Sequence, residues 1–488
     1  MAMIVVVVPR IAFVWERGPV HTWTPPVSND DPANSLRGQY RWFPDDHPVG
    51  VPDGTAAVDA YQRFAWAELE PSPGSYDFST IDTALKATEG TTSRFAFRVM
   101  AVCQACTTPT LPGYLRSAST SWQASLPDGA SVVLPDWNDA SFQAAWRRLM
   151  SELGTRYDQD PRVAFVDVGG YGNWGEGHNY PYSGDYPGPQ GQREATVASY
   201  LTIVRAVTDA FPTARVVLTP PQLGDGTGTV QQDPSWQALD QALTARRNLG
   251  LRNDCLGGGS VQAPALTSLQ SSQKLSEAAA RDPRDTPLGR WKAAPFVTEW
   301  CDNIAPTGGA ADSGGGFGQG ADQVPDLHVS LVSNANFQGS YGDYSSADQQ
   351  AFVRASRAAG FRYRVPTASA LAGPSRDVAL TAEWANDGSA PTYDVWNITY
   401  ELVDWRGDIV AQGDSRLDLR EITKDSGSVQ DTVTLPGTDH LWGTFEVRVV
   451  VRHAGSHLTP MVLVSGDRTQ DGGHDLGDLR LAPWRSGP

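Results

Sequence analysis

Two hydrophobic patterns divide the chain. Up to about residue 364, short apolar runs rich in Val and Phe alternate with stretches whose apolar residues recur every three or four positions. The short runs are typical of parallel strands buried on both faces, and the longer stretches are typical of amphipathic helices. Strand and helix alternate eight times, so the pattern predicts an α/β fold in which residues 34–364 form a (β/α)8 TIM barrel.

The predicted barrel strands share a mostly apolar core bounded by Gly, Pro or polar residues. In chain order they are 34–42, 61–70, 94–100, 163–168, 214–219, 249–255, 294–300 and 327–334. Amphipathic patterns between and after them predict helices, including 192–210 and 346–359.

After residue 364 the period changes from that of a helix to that of a strand. Segments 378–384, 396–403 and 445–451 alternate apolar with polar residues and are separated by Asn, Asp and Gly turns. This pattern predicts a small antiparallel β-sandwich domain at residues 365–488. A β-branched run close to the first residue predicts one further strand, within an N-terminal extension at residues 1–33.

Two predicted barrel strands each deliver one glutamate beside an aromatic residue. The fourth strand passes into a glycine-rich stretch that ends at Trp174-Gly175-Glu176, and the seventh ends at Thr298-Glu299-Trp300. Chemistry in parallel α/β folds collects at the carboxyl ends of the strands, and the fourth and seventh strands of a barrel face each other across its mouth. We therefore predict that Glu176 and Glu299 form the catalytic pair of one site.

Two facing carboxylates are what glycoside cleavage requires. One delivers a proton to the leaving oxygen, and the other meets the positive charge that grows on the sugar carbon. A separation of about 5 Å lets the second carboxylate attack and retain the configuration, whereas roughly 6.5–9.5 Å holds a water and inverts it. The proton donor needs a raised pKa, which we expect burial and the second carboxylate to supply.

The order of three motifs carries a family resemblance. The stretch from Leu69 to Asp82, the Trp-Gly-Glu of the fourth strand and the Thr-Glu-Trp of the seventh resemble the retaining glycoside hydrolases of the large (β/α)8 clan, including its β-galactosidase-like families. The resemblance implies that Glu176 is the acid/base and Glu299 the nucleophile. The combination of Gly-Asn-Trp-Gly-Glu at 172–176, Leu-Gly-Leu-Arg-Asn-Asp-Cys at 249–255 and a trailing sandwich with Asn-Asp-Gly at 386–388 more closely resembles a bacterial barrel-plus-sandwich group carried as a domain of unknown function.

Further candidates for substrate binding are polar or aromatic residues near the predicted strand ends. They are Trp42, Arg63, Arg98, Tyr171, Asn173, Trp174, His178, Asp254, Trp300 and Asn334. The resemblance implies that one of the two arginines, Arg63 or Arg98, orients Glu299. The alternative is that it forms an ordinary ion pair inside the barrel. For the aromatic residues the alternatives are stacking on a sugar ring and packing in the core. For Asp254 they are binding of sugar hydroxyls and capping of a helix.

The chain departs from the clan at one position. The clan has Asn immediately before the fourth-strand glutamate, where it contacts the sugar 2-hydroxyl, and this chain has Gly175. Two explanations are open. Either Asn173 or His178 makes that contact in place of residue 175, or the sugar is a furanose or has altered stereochemistry. The departure also keeps open a carbohydrate-binding barrel without catalysis, in which Glu176 is a solvated loop charge and Glu299 partners an arginine.

Composition narrows the function classes. The 488 residues include 38 Lys and Arg against 55 Asp and Glu, a net charge of −17. No cluster of basic residues is present, so no nucleic-acid partner is predicted. No apolar run approaches the roughly 20 residues that span a bilayer, so no membrane partner is predicted either.

We expect an exo-acting glycosidase on an oligo- or polysaccharide, or a transglycosylase at the same site. The sequence leaves homo-oligomerisation open.

The four cysteines bear on cofactors. Cys103 and Cys106 form a Cys-x-x-Cys at the end of the third strand, and Cys255 and Cys301 end two others. A zinc site needs four convergent ligands, and a redox site needs the motif to open a helix. We therefore predict no metal or cofactor, and interpret the cysteines as structural disulfides or buried thiols.

The first ten residues lack the positive start and long apolar stretch of a secretory signal. We expect a secreted or cell-surface protein whose signal is not part of this sequence, with a cytoplasmic location left open.

Overall fold

The structure is a computed structural model. It describes residues 20–44, 55–104, 106–118, 120–125, 131–178, 194–223, 234–258, 269, 273, 277, 281–302, 304–306, 316–373, 376–455 and 457–481. The first described element is strand β1 (Val20–Trp23). The strand expected close to the first residue lies outside the described residues.

Eight parallel strands close into a barrel, which confirms the predicted TIM barrel. They are β2 (Gly38–Trp42), β3 (Ala57–Ala65), β4 (Phe95–Met100), β7 (Val163–Asp167), β8 (Val216–Leu218), β9 (Leu249–Arg252), β10 (Phe296–Thr298) and β11 (Leu331–Ser333). A hairpin of β5 (Trp122–Ser125) and β6 (Ser131–Leu134) stands between β4 and β7. The barrel closes where β11 pairs in parallel with β2.

Helices cover the outside of the barrel. Those described are α1 (Trp66–Leu69), α2 (Ser79–Lys86), α3 (Gly113–Arg116), α4 (Ala140–Tyr157), α5 (Val197–Ala210), α6 (Pro234–Ala245), α7 (Phe317–Asp326) and α8 (Ser346–Ala358). Their apolar faces pack against the strands in one large core. No helix among the described residues is both long enough and apolar enough to cross a membrane.

The second barrel strand differs from its predicted limits. The sequence predicts a strand over 61–70, but β3 ends at Ala65 and the next four residues form the helical turn α1. The turn is held at its end because Trp66 Nε1 donates to Glu70 Oε2 at 2.8 Å and Gly74 N donates to Glu70 Oε1 at 2.9 Å. Local side-chain bonds thus override the strand propensity of this aromatic stretch.

A β-sandwich follows the barrel, as predicted. Its strands are β12 (Tyr363–Arg364), β13 (Ala368–Gly373), β14 (Arg376–Asn386), β15 (Trp396–Val403), β16 (Ile409–Asp414), β17 (Val429–Leu435), β18 (Gly443–His453) and β19 (His474–Leu481). One sheet contains β1, β12, β13, β14 and β17, and the other has the order β16-β15-β18-β19. Their facing sides form a second apolar core. The domain limits at residues 33 and 364 stay a prediction.

One carboxylate ties the sandwich to the amino-terminal end of the barrel. Asp394 accepts from Arg94 Nη2 and from Arg215 Nη2, each at 2.7 Å, and these arginines immediately precede β4 and β8. Burial would raise the pKa of Asp394, but the two guanidiniums outweigh it and hold that pKa well below its usual value. The sandwich contact is therefore at the amino-terminal end of the barrel strands, opposite the carboxyl-terminal end at which active sites of this fold lie.

Candidate active site

The interior of the barrel carries a charged layer directly above an apolar one. Tyr61, Ala96, Phe165, Val217 and Val297 belong to the apolar cluster that fills the barrel. Side chains two residues apart on a strand share a face. The next inward positions are therefore Arg63, Arg98, Asp167, Thr219 and Glu299, at the carboxyl ends of their strands.

Glu299 is held by donors on both carboxylate oxygens. Its Oε1 accepts from Arg63 Nη2 at 2.7 Å and from the Tyr40 hydroxyl at 3.3 Å, and Arg252 Nη2 contacts the same oxygen. Its Oε2 accepts from Asn336 Nδ2 at 3.1 Å. Burial raises the pKa of Tyr40, so this hydroxyl stays protonated and able to donate. The carboxylate is therefore fixed in one orientation, with only 3% of the side chain exposed.

The backbone around Glu299 is fixed by the loop that follows β9. Leu256 N donates to Glu299 O at 2.7 Å, and Cys301 N donates to Leu256 O at 3.1 Å. A disulfide joins Cys255 to Cys301, and a second joins Cys103 to Cys106. The first disulfide links the two loops that carry Asp254 and Glu299.

Glu176 lies in a tight loop nine residues beyond the end of β7. Trp174 N donates to Val102 O at 2.9 Å, and Gln222 N donates to Gly177 O at 2.7 Å, so the loop is attached to the ends of the third and fifth barrel strands. The side chain is 14% exposed, and His178 Nε2 lies 3.4 Å from its Oε2. Glu176 is thus the more accessible of the two glutamates.

Arg63 bridges the two glutamates. Its Nη1 lies 2.8 Å from Glu176 Oε1 and its Nη2 lies 2.7 Å from Glu299 Oε1. One carboxylate oxygen each of Glu176, Glu299 and Asp254 lie within 4.8 Å of one another. The two residues that the sequence places on different strands therefore meet in one site.

Arg98 and Arg252 complete the network. Arg98 Nη2 lies 2.7 Å from Asp167 Oδ2, and Arg98 Nη1 lies 3.4 Å from Glu176 Oε1. Arg252 Nε lies 2.9 Å from Asp254 Oδ1. Three guanidiniums thus stand among four carboxylates. Arg63 contacts Glu299, whereas Arg98 is directed at Asp167 and Glu176.

The pKa of Glu176 contradicts the expectation from sequence. Burial would raise this pKa, as expected, but Arg63, the hydrogen bond from His178 and Arg98 together outweigh burial. They hold the pKa of Glu176 well below its usual value. The two guanidiniums favour the charged form, and together with His178 their effect on the pKa of Glu176 exceeds that of burial.

The glycine in place of the clan's asparagine has a structural cause. Gly175 has a φ of +71°, and a Cβ there would lie 3.0 Å from Gly169 Cα and 3.2 Å from Arg98 Cδ. A side chain at this position would be strained and would push against the arginine that contacts Glu176. The 2-hydroxyl contact of the clan is therefore not available from residue 175.

Several predicted binding residues do line the site. The Trp42 ring lies under the Arg63 guanidinium, 5.1 Å from its centre, and the Trp174 ring meets His178 edge to face. Asp254 lies 3.8 Å from Arg63 Nη2. The residues that directly follow Asp254, 255–258, are not helical, and Leu256 forms a bridge with Trp300 instead, so Asp254 does not cap a helix there.

Two of the other predicted binding residues, Trp300 and Tyr171, lie in the core outside the barrel. Trp300 is fully buried and stacks on Phe352 in the core outside the barrel. Tyr171 is buried, and its hydroxyl donates to Gln222 O at 3.1 Å. Asn173 Oδ1 accepts from Gln104 N at 3.0 Å, and the Asn173 carbonyl oxygen accepts from Glu176 N at 3.0 Å. Asn334 is buried, and its backbone N–H donates to Tyr40 O at 2.8 Å.

Five residues of the network are not among the candidates predicted from the sequence. They are Tyr40, Tyr61, Asp167, Arg252 and Asn336. Asp167 and Arg252 carry the signal that singled out Arg63 and Arg98, a charge inside an apolar strand. Asn336 has no comparable signal, because it follows β11 in a loop.

The carboxylates could offer ligands to a cation. One oxygen from each of Glu176, Asp254 and Glu299 lies close enough to the others to share an ion. Each of them is already paired with Arg63 or Arg252, however, and the guanidiniums would repel a divalent cation. We therefore assign no metal to these residues.

Comparison with known proteins gives only distant likenesses. No protein-family profile and no curated protein matches the chain. Among solved structures, the lactosyl-enzyme intermediate of endo-glycoceramidase II from Rhodococcus sp. has 15% identity and a TM-score of 0.41, covering 84% of this chain and 99% of that one. A GH5_18 structure from Streptomyces cattleya in complex with GlcNAc has 12% identity and a TM-score of 0.39, covering 67% and 80%. At these values the likeness does not extend to a shared activity.

Proposed function

We propose that this protein is a retaining glycoside hydrolase acting on an oligo- or polysaccharide. The observation that carries the proposal is the approach of Glu176 and Glu299 at the barrel mouth, with one oxygen of each within 4.8 Å. Retaining enzymes hold their two carboxyl groups about 5–5.5 Å apart, and inverting ones leave about 6.5–9.5 Å for a water. The short distance here supports the retaining arrangement.

In the proposed reaction Glu299 is the nucleophile. One of its oxygens forms a bond to the anomeric carbon while the bond from that carbon to the leaving oxygen breaks. The leaving oxygen takes the proton of Glu176, which becomes a carboxylate. A water then attacks the anomeric carbon, gives its proton to Glu176 and releases Glu299 as a carboxylate.

The roles follow from the surroundings of the two glutamates. Glu299 is almost completely buried and is oriented by Arg63, Arg252, Tyr40 and Asn336. These donors fix the direction of attack. Glu176 is more open and lies beside His178, where a leaving group and later a water can reach it.

We also propose that the enzyme is exo-acting and works outside the cytoplasm. The segment from 101 to 139, after β4, contains α3 and the β5–β6 hairpin and can form one wall of a pocket. The two disulfides support an oxidising location.

A second candidate function is a carbohydrate-binding barrel without catalysis. It is favoured by one observation, the Arg63 guanidinium that bridges both glutamates. In this alternative the charged layer is a structural ion-pair network and the sugar binds above it.

A panel of aryl pyranosides and furanosides separates the two candidates. We expect turnover of at least one substrate by the wild type, a loss of about 10²–10⁴-fold in Glu176→Ala and background activity in Glu299→Ala. Binding of a sugar without turnover would support the second candidate. Transfer to an added sugar acceptor, rather than to water, would identify a transglycosylase at the same site.

A further inference from the structure

Arg63 stands where the proposed reaction needs its substrate. The guanidinium lies between Glu176 and Glu299, within 2.8 Å of one and 2.7 Å of the other. In a retaining glycosidase the anomeric carbon must lie between these two carboxylates. A sugar can therefore reach that position only after the guanidinium has moved away from Glu176.

A second acceptor for Arg63 already stands beside it. Asp254 Oδ2 is 3.8 Å from Arg63 Nη2, and within the described part of the chain this buried oxygen has no hydrogen-bond partner. A buried carboxylate oxygen without a donor is costly. A shift of about 1 Å would bring the guanidinium to ordinary hydrogen-bond distance from it.

We propose that Arg63 is a positioning residue with two positions, paired with Glu176 in the free protein and with Asp254 when a sugar occupies the site. In both positions it keeps its contact with Glu299. The inference rests on the proposed function and gives Asp254 a role that the proposed reaction alone does not need.

The movement accounts for the state of Glu176. The charged and titratable groups that face this carboxylate are Arg63, Arg98 and His178, together with Glu299 and Asp254, each of which has an oxygen within 4.8 Å of it. Arg98 is also paired with Asp167 at 2.7 Å, so its charge is already partly balanced. When Arg63 moves to Asp254, Glu176 loses its shortest ion pair and takes up a proton from solvent. That proton then passes to the leaving oxygen, and the attacking water restores it.

The test compares two leaving groups in Asp254→Asn. A 2,4-dinitrophenyl glycoside leaves without a proton, whereas an alkyl glycoside of the same sugar needs one. In Asp254→Asn the Arg63 guanidinium has no second charged acceptor and stays with Glu176. Each unit of pKa changes the protonated fraction of Glu176 tenfold. We therefore expect turnover of the alkyl glycoside to fall at least about 50-fold and turnover of the dinitrophenyl glycoside to fall about fivefold. The matched control is Asp302→Asn, an exposed acid three residues after Glu299.

A second measurement needs only the wild type. The pH profile of kcat/KM reports groups in the free enzyme, and that of kcat reports groups in the complex. We expect the basic limb for the alkyl glycoside to lie at higher pH in kcat than in kcat/KM. Coincident limbs, or equal losses for both leaving groups in Asp254→Asn, would overturn this inference alone. No turnover of any glycoside by the wild type would overturn the proposed function and this inference with it.

Discussion

Asn336 donates to Glu299. Its Nδ2 lies 3.1 Å from Glu299 Oε2 and 3.0 Å from the Trp300 carbonyl oxygen, and its φ is +77°. A single loop residue thus connects the side chain of the proposed nucleophile to the backbone beside it. The left-handed backbone aims the amide at the site, and Asn tolerates this conformation better than most residues do.

We expect Asn336→Gly to lower kcat/KM about 10- to 100-fold. Glycine accepts the left-handed backbone without strain, so the change removes the amide alone, and a hydrogen bond to a charged group is worth about 1.5–3 kcal/mol. Steady-state kinetics on an aryl glycoside would check it. The control is Asn248→Ala, just before β9 at the other end of the barrel. A kcat/KM within twofold of wild type would show that Asn336 does not orient Glu299.

Gly175→Asn should damage the site although it introduces the residue that the clan has at this position. The new Cβ would lie 3.0 Å from Gly169 Cα and 3.2 Å from Arg98 Cδ. We expect a loss of about 1–3 kcal/mol in the free energy of unfolding and at least a tenfold loss of kcat.

Gly90→Asn is the matched control for Gly175→Asn. Gly90 also has a φ of +71°, but a Cβ there would meet nothing within 4 Å. Gly90→Asn therefore has the same left-handed backbone strain as Gly175→Asn but not the close contacts of the new Cβ. Equal effects of the two substitutions on chemical unfolding would show that crowding at residue 175 is unimportant.

The stability of the protein should depend on Glu176 at acid pH. Burial opposes the charged form of Glu176, yet Arg63, His178 and Arg98 hold its folded-state pKa below the ordinary 4.5. A depressed carboxyl pKa stabilises the fold above the unfolded-state pKa, and the stabilisation is lost as the pH falls through the folded-state value. Relative to Glu176→Gln, the wild type should therefore lose unfolding free energy steadily below about pH 4.5. Urea titrations between pH 6 and pH 3 measure this difference, and parallel curves for the two proteins would contradict the depressed pKa.

Asp394→Asn should unfold more easily and leave kcat unchanged. It removes the carboxylate charge that pairs with the buried Arg94 guanidinium and the partly exposed Arg215 guanidinium, at the barrel end opposite the glutamates. Removing one partner of a buried ion pair costs about 3–5 kcal/mol. Asp418→Asn, which breaks the exposed pair with Arg420, should cost no more than about 1 kcal/mol. Similar thermal unfolding curves for the two variants would argue that Asp394 does not hold the sandwich on the barrel.

Strand alternation explains what the sequence could predict about the site. Glu299 follows Val297 on the inward face of β10, so Trp300 must point outward, into the core where it stacks on Phe352. The same rule places Arg63 two residues after Tyr61 and Asp167 two residues after Phe165. Applied to every strand, it would have excluded Trp300 and added Asp167 and Arg252.

Other parts of the site depend on contacts that no periodic pattern records. The loop from Val168 to His178 has no period, and its path is set by hydrogen bonds to the ends of two other strands. Whether Asn173 faces the sugar or Gln104 depends on those bonds. The pKa of Glu176 likewise depends on Arg63 and Arg98, whose distances from it are known only in the folded chain.

Chemical rescue by azide tests the pairing of Glu176 with Glu299 most directly. In either alanine variant the small anion occupies the space of the lost carboxylate and attacks the anomeric carbon, and nuclear magnetic resonance identifies the anomer of the glycosyl azide. We predict the retained anomer from Glu176→Ala, because Glu299 still forms the covalent intermediate, and the inverted anomer from Glu299→Ala. Two results would contradict the claim that these two glutamates act on one sugar. One is the opposite anomer from each variant, and the other is no rescue in either variant although the wild type turns over the aryl glycoside.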